Sequence, residues 1–149
     1  MLLTAPKQTR FTLPLADDVR LVTVESARAV LGITAESVKE LYEDGQLTAF
    51  NLSARRDPSR NEVRIWAASL RGEPTLAPEA IIADCLLTTA VRLPENFHLN
   101  NSQLERAWCV SNQILLQLIA KKYLAGVRVG RNWKVDRASA AKFLEARML

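Results

Sequence analysis

The chain contains the same residue pattern twice, displaced by 77 positions. Residues 23–53, TVESARAVLGITAESVKELYEDGQLTAFNLS, align without a gap with residues 100–130, NNSQLERAWCVSNQILLQLIAKKYLAGVRVG. Few residues are identical, but a divergent duplication preserves the pattern of burial, so we expect two copies of one folding unit. The matched apolar positions are Ala27 and Leu104, Leu31 and Trp108, Ile33 and Val110, Val38 and Leu115, Leu41 and Leu118, Leu47 and Leu124, Phe50 and Val127, and Leu52 and Val129.

Each copy begins with the signals of two short helices joined by a tight turn. Thr23 offers an N-cap oxygen at the start of the first copy, and residues 100–102 do so in the second. After a break in each copy, Thr34 or Ser111 can cap a second helix. Gly32 suits the tight turn between the two helices. This order predicts a helix-turn-helix in each copy.

After the second helix of each copy the apolar period changes to two, which indicates strands. In the second copy we expect Val127 and Val129 to lie on the buried side, opposite Val135 and Trp133 respectively. The connection would then be a three-residue loop over residues 130–132, with Asn132 able to take the left-handed position.

That register gives the second hairpin, or wing, a cationic surface. Arg128 would stand opposite Lys134 on the solvent face, with Arg131 at the tip. Three cations on one side of a wing favour contact with phosphates, although a solvated hairpin would carry the same residues.

The predicted fold class is mainly α with small β-hairpin wings, as two winged helix-turn-helix modules joined by a central helix. We expect an N-terminal extension at 1–22, a first module at 23–72, a helical connector at 73–99 and a second module at 100–149. Asp136 should cap a last helix of the second module. In the connector, residues 76–91 have Pro78 at a helix start and a broad apolar face, which predicts burial against both modules or against a second protomer.

Residues 110–145, VSNQILLQLIAKKYLAGVRVGRNWKVDRASAAKFLE, resemble the winged helix-turn-helix of the excisionase and MerR-like group. The residues that carry the resemblance are Val129-Gly130-Arg131 at the hairpin tip, Trp133-Lys134-Val135, and Phe143-Leu144. The first copy is similar at Glu25, Ala27, Leu31-Gly32, Val38, Leu41, Gly45, Leu47 and Ala49, but Ser53 replaces the turn glycine and residues 53–62 extend its wing. The resemblance implies binding to double-stranded DNA.

The second helix of the second copy carries the strongest candidates for contact with bases. Asn112, Gln113 and Gln117 have amides that can pair with adenine in the major groove, and Lys121 can meet phosphate or guanine. An ordinary polar helix face is the alternative.

The corresponding helix of the first copy, residues 35–44, is acidic, with Glu36, Glu40, Glu43 and Asp44 beside Lys39. Carboxylates facing a phosphate-lined groove would be repelled. The first module could instead contact DNA through wing cations, or its acidic helix could dock a protein, including the basic face of another copy. The wing cations of the first module are Arg55, Arg56, Arg60 and Arg64.

The net charge and the cysteine content limit the classes of protein to which this chain can belong. The net charge is +4 and the pI about 9.4; the half of the chain after residue 72 carries +3 of that charge. Cys85 and Cys109 have no partner motif and should be reduced core residues. Trp66, Trp108 and Trp133 fall at positions expected to face the core.

No motif for an enzyme, a metal site or a cofactor is apparent. His98 has no second ligand at a metal-site spacing, and Asp17-Asp18 form no acid–base pair. We therefore expect no enzymatic activity, no cofactor and no metal. The absence of a signal peptide or a long apolar run predicts a cytoplasmic protein without membrane contact.

The sequence thus predicts a sequence-specific DNA-binding protein of bacterial or phage type, acting in transcriptional control or as an excision accessory factor. Two alternatives stay open. The fold could serve as a protein–protein interaction module, in a homodimer or with another protein, through the 76–91 helix or the acidic helix 35–44. It could also be a recognition subunit for phage DNA packaging.

Overall fold

The computed structural model describes residues 19–53, 62–72, 77–87 and 98–149. About 52% of these residues are helical, and they form seven helices and two small three-stranded antiparallel sheets. None of the helices in this described part is both long enough and apolar enough to cross a membrane.

The helices and strands follow the same order twice. The first repeat consists of β1 (Leu21–Thr23), α1 (Val24–Leu31), α2 (Ala35–Glu43), β2 (Ala49–Asn51), β3 (Val63–Trp66) and α3 (Ala67–Leu70). The helix α4 (Pro78–Cys85) follows. The second repeat consists of β4 (His98–Asn100), α5 (Asn101–Trp108), α6 (Asn112–Ala120), β5 (Gly126–Val129), β6 (Asn132–Asp136) and α7 (Arg137–Arg147). The strand orders β1-β3-β2 and β4-β6-β5 are equivalent, so both repeats have the same sheet topology.

The helices begin at the residues that their caps predict. Thr34 accepts a hydrogen bond from the backbone N–H of Ser37 at 3.1 Å, and Ser111 accepts one from that of Ile114 at 3.2 Å. Asp136 caps α7 in the same way, through the N–H of Ser139. These predictions are confirmed because a cap depends only on residues within one turn.

The predicted register of the second hairpin is wrong by one residue. Val127 pairs with Lys134 and Val129 with Asn132, so the loop consists of two residues, Gly130-Arg131. Gly130 has a φ of 64°, which suits the first position of a two-residue hairpin loop. Both valines therefore lie on the outer face and are 64% and 50% exposed.

Gly126 explains why the valines are displaced from the inner face. In the observed register, Gly126 pairs with the buried Val135 and shares its face of the sheet. A Cβ atom at Gly126 would lie 3.1 Å from Cδ1 of Ile119 and 3.3 Å from Cε3 of Trp133. Only a glycine allows α6 to approach the hairpin this closely without displacement of a neighbour.

One hydrophobic core joins the two repeats. It contains Phe50, Leu52 and Trp66 of the first repeat together with Leu104 and Trp108 of the second. Trp66 and Trp108 are buried as predicted, whereas Trp133 is half-buried. A smaller core, built around Val38, Ile65 and their neighbours, belongs to the first repeat alone.

The helix α4 is held between the repeats by hydrogen bonds as well as by apolar contacts. Asp84 accepts from the indole N–H of Trp66 at 2.8 Å and forms an ion pair with Arg20. The carbonyl of Cys85 accepts from the indole N–H of Trp108 at 2.9 Å. Residues 81–83 and 85–86 are buried within the chain. Of the two predicted ways to bury this helix, packing within the chain is observed for its described residues.

The hairpin of the first repeat is buried on both faces, which the alternating sequence pattern did not predict. Every residue of β2 and β3 is buried. Arg147 of α7 donates to the carbonyls of Asn51 and Ser53, at 3.2 and 2.7 Å, and the N–H of Leu149 donates to the carbonyl of Ala49. The end of the second repeat therefore covers the edge of the first sheet.

Candidate nucleic-acid interface

The helix α6 presents a polar face because its apolar residues are used in the core. Leu115 and Leu118 are fully buried, whereas Asn112, Gln113 and Gln117 are exposed. Gln113 and Gln117 are four residues apart and so lie on one stripe of the helix. Lys121, the last candidate on this helix, is exposed at its C-cap. These four residues are accessible to a macromolecular ligand.

Asn101 connects the start of α6 to the second hairpin. This residue at the start of α5 is only 9% exposed. Its Oδ1 accepts from the backbone N–H of Trp133 in β6, and its Nδ2 donates to Oδ1 of Asn112, both at 3.1 Å. The first turn of α6 and the middle of the hairpin are thus fixed side by side. Asn101 was not among the predicted site residues, and its only local signal is its place as the second of two consecutive asparagines at a helix start.

The three cations of the hairpin do not lie on one side, contrary to the prediction. Arg128 pairs with Trp133 and lies on the face turned toward the helices. Lys134 is the next residue of β6 and lies on the opposite face, because alternate residues of a strand point to opposite sides. Arg131 is exposed in the loop, and Arg128 Nε donates to the carbonyl of Gly130 at 3.2 Å. The cations therefore lie on both faces of the hairpin and at its tip.

An open groove of about 420 Å³ runs beside the base of the hairpin. Its wall includes the apolar side chains of Ile119, Leu124 and Val127, and its charged residues are Lys122, Lys134 and Asp136. The two lysines outnumber the one aspartate, so the charged residues that line the groove carry a net charge of +1.

The first repeat places carboxylates where the second repeat has its polar candidates. By the displacement of 77 residues, Glu36 corresponds to Gln113, Glu40 to Gln117 and Asp44 to Lys121. All three carboxylates are exposed. The first repeat thus has three anionic side chains at the positions where the second repeat has two neutral amides and a cation. The acidic surface of the first repeat repels phosphate, whereas the surface of the second repeat does not.

Arg64 was predicted to be a wing cation of the first repeat, but it is buried. The residue is 6% exposed, and its guanidinium donates to the carbonyl of Cys109 at 3.0 and 3.1 Å, so it connects the first sheet to the turn between α5 and α6. It also lies 3.5 Å from a carboxylate oxygen of Glu62. The prediction failed because the strand that carries Arg64 has no solvent face. Arg55, Arg56 and Arg60 lie outside the described residues.

The two cysteines are free thiols, of which Cys85 is buried and Cys109 is half-buried. Burial raises the pKa of Cys85 well above its ordinary value, and the charge of Asp84 adds to this effect. Burial also raises the pKa of Cys109, although nearby Arg64 partly offsets it. Both thiols therefore stay protonated at neutral pH. Within the described residues, no three His, Cys, Asp or Glu side chains come together as metal ligands.

Comparisons with family models, with curated proteins and with solved structures found no match to this chain. The geometry of the second repeat is therefore the basis for its functional interpretation.

Proposed function

We propose that the chain binds double-stranded DNA through its second repeat, which we interpret as a winged helix-turn-helix. In this interpretation α6 is the recognition helix and the hairpin β5–β6 is the wing. The observation that carries the proposal is the double hydrogen bond of Asn101, which joins the exposed start of α6 to β6. A helix and a hairpin held in one fixed relation can contact a major groove and its flanking backbone together.

The polar groups on this surface suit the two kinds of contact that a DNA-binding protein makes, those to bases and those to phosphates. Gln113 and Gln117 offer amides to base edges from the exposed stripe of α6. Arg131 at the tip and Arg128 beside it can neutralise phosphates on one side, and Lys134 on the other face extends the contact. We propose a role in transcriptional control or as an excision accessory factor.

The first repeat has the same order of elements, and we propose that it acts as a scaffold rather than as a second reader. Its acidic α2 is unsuited to a phosphate-lined groove. Its two described wing strands are buried between the repeats, so the described part of this wing has no free face for DNA. The tandem winged arrangement would thus carry one DNA-binding module.

Retardation of duplex DNA, titrated with salt, tests the proposal. If Lys121, Arg128, Arg131 and Lys134 each neutralise one phosphate, the log–log slope of affinity against salt is about −3 to −4. Arg131→Ala should reduce the magnitude of that slope by about 1 and weaken binding to all sequences alike. Lys142→Ala removes an exposed charge from α7 and is the matched control, since it should leave the slope unchanged.

A second pair of variants separates base reading from phosphate contact. Gln113→Ala should relax the sequence preference with little change in the salt slope. The double variant Gln113→Glu and Gln117→Glu gives α6 the carboxylates of α2 and should abolish specific binding by repulsion. Unchanged affinity in that double variant would contradict the assignment of α6 as the recognition helix.

One observation favours a different function, a protein–protein interaction module. The exposed carboxylates of α2 could dock a basic protein surface. If the wild-type chain does not retard duplex DNA even at low salt, binding to a protein partner becomes the better explanation of this surface.

A further inference from the structure

The partners of Asn101 determine which atom of its side-chain amide faces each of them. A backbone N–H can only donate, so the atom that faces the N–H of Trp133 must be the carbonyl oxygen of the Asn101 amide. The amide nitrogen of Asn101 is therefore turned toward its other two neighbours. These are Oδ1 of Asn112 at 3.1 Å and a carboxylate oxygen of Glu105 at 3.4 Å.

The same reasoning determines the orientation of Asn112. The two N–H bonds of the Asn101 amide need two acceptors, and Glu105 supplies one of them. The atom of Asn112 that faces Asn101 must then be its oxygen. The amide nitrogen of Asn112 points away from this contact, at the exposed first position of α6.

We infer that Asn112 reads DNA as a hydrogen-bond donor and that Asn101 is the positioning residue that sets this polarity. The inference rests on the proposed function and adds a base preference to it. A freely rotating asparagine can pair with both N7 and N6 of adenine, which needs its oxygen and its nitrogen together. With its oxygen bound to Asn101, Asn112 offers N–H groups to acceptors. Guanine and thymine present acceptors at the corresponding groove edge, whereas cytosine presents a donor.

The first repeat shows that this polar link is not needed to build the helix pair. The residues that correspond to Asn101 and Asn112 are Val24 and Ala35, which cannot form it. The helices α1 and α2 nevertheless pack together, with Val24 against the core of that repeat. The link occurs in the repeat that has the amides Gln113 and Gln117 and is absent from the one that has Glu36 and Glu40. A role in orientation explains this distribution, and a role in packing does not.

The double variant Asn101→Asp with Glu105→Gln reverses the polarity without altering the reading side chain. The introduced carboxylate accepts from the N–H of Trp133 and also from the amide nitrogen of Asn112. Asn112 must then turn its oxygen outward. Glu105→Gln prevents repulsion between two carboxylates one helical turn apart, and Glu105→Gln alone is the matched control, since it keeps an acceptor for Asn101.

The experiment measures affinity for duplexes that differ at a single base pair, chosen after selection of bound fragments from random DNA. Wild type and the Glu105→Gln control should disfavour cytosine about tenfold or more at one position. The double variant should instead prefer cytosine or adenine there, and Asn112→Ala should remove the preference at that position in either background. An unchanged preference in a folded double variant would overturn the inference while leaving DNA binding intact.

Solvent exchange of side-chain amide protons, followed by NMR in the free protein, tests the polarity without DNA. In wild type the amide protons of Asn101 should be protected and those of Asn112 should exchange rapidly, and in the double variant those of Asn112 should become protected. Protected Asn112 protons in wild type would overturn the assigned orientation. The expected protection pattern combined with no DNA binding would overturn the proposed function, and the reading role of Asn112 with it.

Discussion

Gly32 and Gly45 of the first repeat have left-handed backbone conformations, and their counterparts in the second repeat are Cys109 and Lys122. The φ angles are 69° and 82° for the two glycines, and 51° and 66° for the cysteine and the lysine. A residue with a Cβ atom is strained in this conformation by about 1–2 kcal/mol. The backbone conformation that both repeats share therefore stores strain in the second repeat that the first repeat avoids.

Lys122→Gly should raise the free energy of unfolding by about 0.5–1 kcal/mol, as measured by urea denaturation. The gain is the relieved strain minus the greater chain entropy of glycine in the unfolded state. Lys121→Gly is the matched control, because it removes the same charge at a φ of −86° and should lower stability. Gly45→Ala in the first repeat should lower it as well. Equal effects of the two lysine substitutions would contradict the assignment of strain to Lys122.

At the residue scale, the sequence predicts the role of a side chain when its partners are near in the chain. It fails when residues far away in the chain determine the contacts of that side chain. The caps Thr34 and Ser111 were predictable because each accepts from an N–H three residues ahead. Arg64 was misassigned because its partner, the carbonyl of Cys109, lies 45 residues away. The exposure of Asn112 was predictable from the apolar period of α6, but its orientation was not, since Asn101 and Trp133 determine it together.

At the scale of elements, the two hairpins are equivalent in topology and opposite in environment. The edge of β2 is covered by the segment after α7, where Met148 bridges to Phe50. Among the described residues, only β6 pairs with β5, whose two valines face outward. The strand period predicted both hairpins, but it could not show which one is buried. The short strands β1 and β4 have three residues each and gave no periodic signal.

Arg147→Ala should destabilise the first sheet by about 2–3 kcal/mol, because it leaves the carbonyls of Asn51 and Ser53 without their charged donor. The guanidinium also lies 4.9 Å from the ring centres of Tyr123 and Phe143, and these contacts would be lost. Hydrogen exchange should show faster opening of β2 and β3 than of β5 and β6.

Lys142→Ala on the same helix is the control for this prediction. Lys142 is exposed, so its removal should change stability by no more than about 0.5 kcal/mol. Equal loss of protection in both sheets after Arg147→Ala would show that Arg147 supports the whole molecule rather than the edge of the first sheet.

At the scale of the whole molecule, the two repeats do not form independent domains. Trp108 of the second repeat is fully buried in a core that also contains Phe50 and Trp66 of the first. Arg64 adds a polar contact across the same boundary, and α4 is hydrogen-bonded to both repeats, through Asp84 to Trp66 and through Cys85 to Trp108. The module boundaries predicted from the repeat divide this core, because a periodic pattern shows which residues are buried but not what covers them. The proposed DNA-binding repeat therefore depends on the first repeat for its stability.

Phe50→Ala tests that dependence, since Phe50 belongs to β2 and is far from the proposed DNA contacts in sequence. The cavity should cost about 3–5 kcal/mol. If the repeats form one cooperative unit, NMR signals of Val22 in the first sheet and Val135 in the second should disappear at the same temperature, shifted down together. Val38→Ala, in the core confined to the first repeat, should cost less yet shift both signals equally, because one transition governs them. A second sheet that keeps its wild-type midpoint after Phe50→Ala would mean that the repeats unfold separately and that the shared core contributes little to their coupling.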